Sequence, residues 1–239
     1  MAPAFILLAW RIALPIAMTF GLIKNPYMDG VIKGRTVPVF ADAYGHQDKQ
    51  ADREICAIML ATRSNHAMGM LAPGFKEIGD YFKAMSTELD AEPTKWGYLG
   101  SSAWLSTADR RVSSEFMSII YFESAEKLHE YAHSKLHTEA TAWWQKTVKE
   151  HDHLAIMHEV WASPKKSWEG IYVNYAPTGL GACYSEATIK TEGGEKKVWM
   201  SPLVEGRGKL TYSKGRLGRP YGDKEWVAYQ EMLDVEDAA

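Results

Sequence analysis

The sequence predicts an α+β domain in which four strands and two helices follow the order β-α-β-β-α-β. Two longer stretches, one after Gly74 and one after Ser124, have apolar residues at every third or fourth position and predict the helices. This order is that of the ferredoxin-like arrangement, which lays two helices on one face of a four-stranded antiparallel sheet. Four short apolar runs bounded by polar turns predict the strands: residues 55–61, 97–104, 116–122 and 154–161.

The first strand is predicted to be buried on both faces, because residues 55–61 are apolar at odd and even positions alike. It ends in a polar cluster that includes Arg63 and Asn65. These side chains are suited to orient a carboxylate or an oxyanion at a pocket mouth, and an ordinary surface salt bridge is the alternative. A helix is then predicted from Gly74 to Leu89.

One long helix with a row of histidines is predicted after the third strand. Ser124 is a suitable N-cap, and the apolar face extends to Trp144. His129, His133 and His137 follow one another at intervals of one helical turn. Two interpretations remain open, namely that these imidazoles edge a pocket or that they lie along a solvated flank.

The composition predicts a globular protein and excludes nucleic acid as a partner. The 239 residues are 46% hydrophobic and 24% charged, with a net charge of −3. No basic run supplies the phosphate-neutralising surface that nucleic-acid binding needs. Cys56 and Cys183 have no metal-like spacing and form no disulfide framework, so an intracellular location is expected.

An apolar segment at residues 5–23 is interrupted by Arg11 and Pro15. It predicts a helix with three open interpretations: one that lies at a membrane surface, one that docks on protein, and one that spans a bilayer. A charge near the middle makes spanning the least favoured of the three. The protein is therefore expected to be intracellular with a membrane surface as one candidate contact.

The remaining segments are predicted to flank a single domain. A strand is expected at residues 197–203, and the basic, Gly-rich run at 206–220 is interpreted as a solvated tail in preference to a loop over a site. The second face of the sheet is also apolar, so a second copy of the chain or the terminal segments must cover it. Three parts are expected: an apolar helix with a connecting arm at 1–50, the ferredoxin-like domain at 51–181, and an irregular extension at 182–239.

Three motifs carry a resemblance to a known family. They are HEVW at 158–161, WEGIYVNY at 168–175 and PTGLG at 177–181. They resemble the monooxygenase-like domain-of-unknown-function family of the dimeric α+β-barrel superfamily, over roughly residues 53–181. The resemblance implies a homodimer of ferredoxin-like subunits with a small-molecule pocket between sheet and helices. Members of the superfamily catalyse cofactor-free oxygenation, haem-dependent dehydration or oxygenation, isomerisation and lactonisation, so the fold alone does not determine the reaction.

Strand alternation sorts the candidate site residues. His158 and Glu159 point to opposite faces, so whichever face lines the pocket receives a general acid or base. Tyr172 and Asn174 share a parity and could steady an oxygen atom, although Tyr172 is equally suited to a core position. The catalytic candidates are thus His158, Glu159 and Tyr172. The substrate-binding candidates are Asn174, Arg63, Asn65, His133, Tyr121 and Trp104.

Together with these residues, the resemblance implies a small-molecule enzyme of secondary metabolism. It would act on a hydrophobic, polycyclic or aromatic substrate without a cofactor, as a monooxygenase if O2 is consumed and as a cyclase, isomerase or dehydratase if not. One alternative is a haem-dependent oxygenase or dehydratase with His133 or His137 as the ligand. The other is a non-catalytic accessory protein that binds a hydrophobic metabolite. Neither a CxxCH haem-attachment motif nor a GxGxxG dinucleotide motif is present.

Overall fold

The computed structural model describes residues 2–106 and 115–219. The predicted turn at residues 107–111 lies outside these ranges. The α-helices of the described residues are α1 (Ala2–Thr19), α2 (Phe75–Ala91), α3 (Pro93–Trp96), α4 (Ala125–Ala132), α5 (Lys135–Thr147) and α6 (Ser213–Arg216). The strands are β1 (Ile32–Pro38), β2 (Ile55–Ser64), β3 (Tyr98–Leu105), β4 (Glu115–Phe122), β5 (Leu154–Ser163), β6 (Tyr172–Tyr175), β7 (Ser185–Thr191), β8 (Gly194–Met200) and β9 (Leu203–Glu205).

The central sheet has the strand order β3-β4-β2-β5, and all neighbours are antiparallel. With α2 between β2 and β3, and α4 and α5 between β4 and β5, this is the ferredoxin-like topology that the sequence predicts. The register places Ala57 opposite Tyr121 on one side and opposite Trp161 on the other. The predicted fold class is therefore confirmed.

A sealed core lies between the sheet and its helices. Phe122 and Cys56 from the sheet are 1% and 0% exposed, and they belong to one cluster with Leu89 of α2 and Tyr131 of α4. The Tyr131 hydroxyl donates to the Met85 carbonyl at 3.2 Å, so this buried polar group is satisfied. Helices α2 and α4 pack over β2, β3 and β4.

The predicted long helix is two helices, which corrects the sequence interpretation. Ser124 caps α4 as predicted, because its Oγ accepts from the Lys127 N–H at 3.3 Å. A second cap interrupts the periodic pattern, since the Ser134 Oγ accepts from the His137 N–H at 3.2 Å and starts α5. The apolar spacing continues through the break, so it could not reveal it.

A second sheet pairs a strand that precedes the central sheet in the sequence with two strands that follow it. Its order is β6-β1-β9, so residues 32–38 pair with residues 172–175 and 203–205. The strand predicted at residues 197–203 is divided at Ser201 and Pro202 into β8 and β9. Strand β8 forms a hairpin with β7.

The expected solvated tail is wrong for residues 208–219. Tyr212 is 6% exposed, and Arg216 pairs with Glu169 while its Nη1 donates to the Leu210 and Thr211 carbonyls. The basic residues of this stretch therefore dock it onto the body of the protein. Residue 220 lies outside the described range.

Helix α1 carries apolar side chains around its whole circumference. Phe5, Leu7 and Trp10 are 67%, 63% and 61% exposed. Arg11 is its one charged residue, and Pro15 lies inside it. No helix in the described part of the chain combines the length and the hydropathy that crossing a membrane requires.

Candidate functional site

Strand β5 presents His158 and Glu159 on opposite faces of the central sheet. His158 lies opposite Leu60, which shares its side of β2 with the core residues Cys56 and Ile58. Glu159 lies opposite Met59, on the other side. His158 is therefore on the helix side, and Glu159 is on the face that the helices leave bare.

The helix side of β5 remains open, because the helices pack over the other three strands. Ile156 and Val160 flank His158 on this side and are each 45% exposed. His137 of α5 is half-buried, and its imidazole interacts electrostatically with that of His158. These four residues, Ile156, His158, Val160 and His137, form what we call the helix-side site.

Burial lowers the pKa of His137 below its ordinary value, and the nearby His133 and His158 lower it further. A neutral imidazole can both accept and donate a hydrogen bond. The helix-side site thus offers two imidazoles beside an apolar wall. This is a suitable environment for proton transfer to or from a hydrophobic molecule.

The predicted row of histidines is divided between two helices. His133 ends α4 and is exposed, its Nδ1 lies 2.8 Å from the His129 carbonyl, and the two rings are 4.4 Å apart. His137 is the more buried of the two proposed haem ligands. No group of three His, Cys, Asp or Glu side chains within the described ranges is arranged to hold a metal ion.

The opposite face of the sheet, which we call the open face, is apolar and half-exposed. Met157 and Trp161 of β5 are 40% and 45% exposed on either side of Glu159. Tyr121 and Trp104 lie on the same face, through their pairing with Ala57 and Met117. Burial raises the pKa of Tyr121 to about 12, so its hydroxyl is a donor at neutral pH.

A loop at residues 178–183 covers one end of the open face. The Gly179 N–H donates to the Ser102 Oγ at 2.8 Å, and the Gly181 N–H donates to the Tyr172 hydroxyl at 2.9 Å. Gly179 has φ +54°, and a Cβ there would lie 3.4 Å from the Tyr121 hydroxyl. Ser102 was not among the candidates from the sequence. The PTGLG motif was the sequence signal that could have drawn attention to this loop and to the residues that hold it.

Three further candidates from the sequence belong neither to the helix-side site nor to the group of open-face residues named above. Arg63 pairs with Glu115 at 3.9 Å, and the Asn65 N–H donates to the His153 carbonyl at 2.7 Å. The Asn174 Oδ1 accepts from the Gly34 N–H at 2.8 Å. Asn174 has φ +50°, beside an irregularity in the pairing of β1 with β6, so simple alternation does not place it with Tyr172.

The structure therefore separates the three catalytic candidates. His158 belongs to the helix-side site, Glu159 lies on the open face, and the Tyr172 hydroxyl is engaged by the backbone of the loop. Two cavities of about 330 and 610 Å³ also occur in the described part of the chain, and none of these three residues lines them.

The strand order, the helices on one side and the histidine pair define a ferredoxin-like α+β protein with a candidate acid–base site. The family described as Monooxygenase af470-like matches residues 55–180, more than half of the sequence. The chain belongs to this family, which confirms the predicted resemblance.

Individual proteins are similar to the chain over different lengths. Monooxygenase af470 of Aspergillus fumigatus is 27% identical over 197 residues, which cover 82% of this chain and 70% of that protein. A crystal structure of aldoxime dehydratase is 22% identical, with 62% of this chain and 40% of that chain covered and a TM-score of 0.45. SnoaB, a cofactor-independent oxygenase from Streptomyces nogalater, is 7% identical, with 45% and 91% covered and a TM-score of 0.32.

Proposed function

We propose that the chain is an intracellular enzyme of secondary metabolism that acts on a hydrophobic, polycyclic or aromatic small molecule without a cofactor, with His158 as the general base. The observation that carries this proposal is the place of His158 on the helix side of β5, between the exposed apolar side chains of Ile156 and Val160. An electrostatic interaction with the half-buried His137 supports it. Membership of the Monooxygenase af470-like family supports an oxygenation. Residues 51–181 are the proposed catalytic domain, flanked by the segments 1–50 and 182–239.

In the proposed reaction His158 removes a proton from a carbon next to a carbonyl or phenol group. His137, whose N–H group is hydrogen-bonded to the Ala132 carbonyl, accepts a hydrogen bond from a substrate hydroxyl through its other ring nitrogen. In a monooxygenation the resulting carbanion gives its electron pair to O2 and, after protonation, forms a hydroperoxide at the same carbon. Loss of the second proton from this carbon with cleavage of the O–O bond leaves a new carbonyl group and releases the other oxygen as water. Without O2 the same proton transfer serves a cyclase, an isomerase or a dehydratase.

Turnover of His158→Ala tests the assignment. Oxygen uptake with a panel of polycyclic phenols is expected to fall by about 10²–10⁴-fold, the contribution of a positioned general base. Glu159→Gln, on the other face, and His129→Ala, on the exposed flank of α4, are expected to keep their turnover. Full activity of His158→Ala would remove His158 from the mechanism, and loss of activity in Glu159→Gln would move the reaction to the open face.

We also propose a homodimer in which a second copy covers the open face. This face leaves Met157 and Trp161 exposed, and β5 is an edge strand with one side unpaired in the sheet order. Long, apolar edge strands invite pairing with another chain. Glu159 then lies at the interface between the two copies.

A haem-dependent oxygenase or dehydratase is the second candidate, because His137 is half-buried and interacts electrostatically with His158 of β5. An absorption spectrum recorded after addition of hemin distinguishes the two proposals. A Soret band that is lost in His137→Ala and retained in His133→Ala would support haem and overturn the cofactor-free reaction. A spectrum of free hemin in the wild type would exclude this candidate.

The exposed helix α1 is proposed to contact either a membrane surface or another protein. In the non-catalytic alternative it anchors an accessory protein that presents the site to a hydrophobic metabolite. Removal of residues 1–23 separates these cases. An accessory protein returns its bound metabolite unchanged and loses vesicle binding on truncation, whereas the enzyme keeps its turnover.

A further inference from the structure

A cavity of about 610 Å³ lies beside β3, at the edge of the central sheet opposite to β5. Its walls come from the end of α2, the start of α3, β3 itself and the chain around the β7–β8 hairpin. Two hydrogen bonds hold these walls together. The Tyr184 N–H donates to the Leu99 carbonyl at 2.8 Å, and the Thr94 Oγ1 donates to the Glu186 Oε2 at 3.2 Å. A cavity of this volume accommodates a small organic molecule.

Three aromatic side chains line the cavity. Tyr98 is 9% exposed, whereas Tyr184 and Trp199 are 51% and 47% exposed. The face of an aromatic ring carries partial negative charge and attracts a cation, most strongly when the ring is that of tryptophan. The walls therefore favour a ligand that is positively charged and partly apolar.

The lining contains one carboxylate and no cationic side chain. Asp90 is exposed and forms no ion pair with a lysine, arginine or histidine of the described ranges. Two lysines of the surrounding elements have other partners, because Lys95 pairs with Glu92 at 2.6 Å and Lys197 pairs with Glu186. The negative charge of Asp90 is therefore available to a ligand.

The end of α2 adds to the negative potential of the cavity. Asp90 lies in the last turn of this helix, and that turn contains no basic residue. The backbone dipoles of a helix place partial negative charge at its C-terminal end, where a cation is favourable and a carboxylate is not. A positively charged ligand would thus stabilise both the helix end and the carboxylate.

The tyrosine beside Asp90 is neutral. Burial raises the pKa of Tyr98 to about 12, and the charge of Asp90 raises it further. The Tyr98 hydroxyl keeps its proton at neutral pH and donates to the Ser101 Oγ at 3.2 Å. Asp90 is therefore the source of full negative charge in the lining.

We propose that this cavity binds an organic ammonium ion, with its charged group at Asp90 and its apolar part against the rings of Tyr184 and Trp199. The site lies at the opposite edge of the sheet from His158 and does not depend on the role of that residue. It gives the protein a second small-molecule site, suited to an amine or a quaternary ammonium compound.

Calorimetric titration of the full chain with benzyltrimethylammonium, and separately with benzyl alcohol, tests the proposal. The two probes share a benzyl group and differ in charge, and the cation is expected to bind about fivefold more tightly or better. Asp90→Asn is expected to weaken binding of the cation about threefold, the effect of an exposed ion pair. Trp199→Leu is expected to weaken it about fivefold, the effect of one contact between a cation and a ring.

Salt separates the two contributions. Raising the salt concentration from about 0.01 M to about 1 M screens an exposed ion pair, so it should weaken binding of the cation to the wild type. The same change should have a smaller effect on Asp90→Asn, which has lost the carboxylate. Asp80→Asn on the exposed side of α2 and Trp10→Leu on α1 are the matched controls, and both are expected to bind benzyltrimethylammonium like the wild type.

Urea denaturation checks the fold of each variant. Asp90 is exposed, so Asp90→Asn is expected to fold, and it gives the decisive result if Trp199→Leu unfolds. Absence of benzyltrimethylammonium binding, or binding of benzyl alcohol as tight as that of the cation, would overturn the proposal. Wild-type affinity for the cation in Asp90→Asn, or in a folded Trp199→Leu, would overturn it as well.

Discussion

The two faces of β2 are equally apolar in sequence and are covered by different parts of the chain. On the helix side Cys56 is fully buried, and Ile58 and Leu60 are half-buried. On the open face Ile55 and Ala61 are 3% and 7% exposed, and Ala57 and Met59 between them are half-buried. Helices α2 and α4 cover the helix side, whereas the open face is covered at the end where Ile55 packs with Phe40 and Trp168. The part of the open face around Met157 and Trp161 stays exposed, and this is the surface of the proposed homodimer.

The two sides of β5 also differ, in the kinds of side chain that they present. Both sides of this edge strand are exposed, yet His158 interacts electrostatically with a second histidine on the helix side and Glu159 is flanked by Met157 and Trp161. The side with two titratable groups is suited to catalysis. The side with one carboxylate between large apolar residues is suited to association.

The largest expected loss of stability comes from truncating a core side chain on the helix side of the sheet. Phe122→Ala removes a ring that is 1% exposed, so the free energy of unfolding should fall by about 3–5 kcal/mol. Trp161→Ala on the open face should cost less than about 1 kcal/mol at low protein concentration, measured by urea denaturation. Equal losses in the two variants would show that the open face is already buried in the single chain.

A charged side chain introduced on the open face is expected to weaken dimerisation. Trp161→Glu is expected to weaken self-association by about 2 kcal/mol or more, as is usual for a tryptophan at the centre of an interface. Sedimentation velocity over a concentration series measures this, and Thr141→Glu on the exposed side of α5 is the control. A dimer of unchanged affinity in Trp161→Glu would place the interface elsewhere.

Sequence reasoning was sufficient for the central fold because local patterns determine it. Short apolar runs gave the four strands, and the spacing from Gly74 to Leu89 gave α2. The division of the second long helix was missed, because Ser134 caps α5 without interrupting the apolar periodicity. The docking of residues 208–219 was also missed, since it depends on the distant partner Glu169 of Arg216.

The site was harder to predict for the same physical reason. Alternation along β5 correctly separates His158 from Glu159, but it does not show which face the helices leave open. The residue that interacts electrostatically with His158 comes from α5, and the hydrogen-bond partner of the Tyr172 hydroxyl is a backbone N–H in a later loop. Contacts of this kind have no periodic signature in the sequence.

A smaller effect is expected at the loop that covers one end of the open face. Tyr172→Phe removes the acceptor of the Gly181 N–H, so the free energy of unfolding should fall by about 1 kcal/mol. Turnover should not change, because the hydroxyl positions the loop and lies away from the helix-side site. Thermal denaturation and oxygen uptake on the same preparation check both parts, and a large loss of turnover would return Tyr172 to the catalytic residues.

The smallest expected effect is the part of the acid dependence of stability that comes from His137 on the helix side. The pKa of His137 in the folded chain lies below its ordinary value of 6.5, so the unfolded chain binds this proton more readily. The contribution is fully present above pH 6.5 and is lost as the pH falls through the lowered pKa. His137→Gln should flatten this slope in urea denaturation between pH 7 and pH 5, and His129→Gln should leave it unchanged. An unaltered slope in His137→Gln would mean that its imidazole is not desolvated, and would remove the support for a neutral His137 in the proposed reaction.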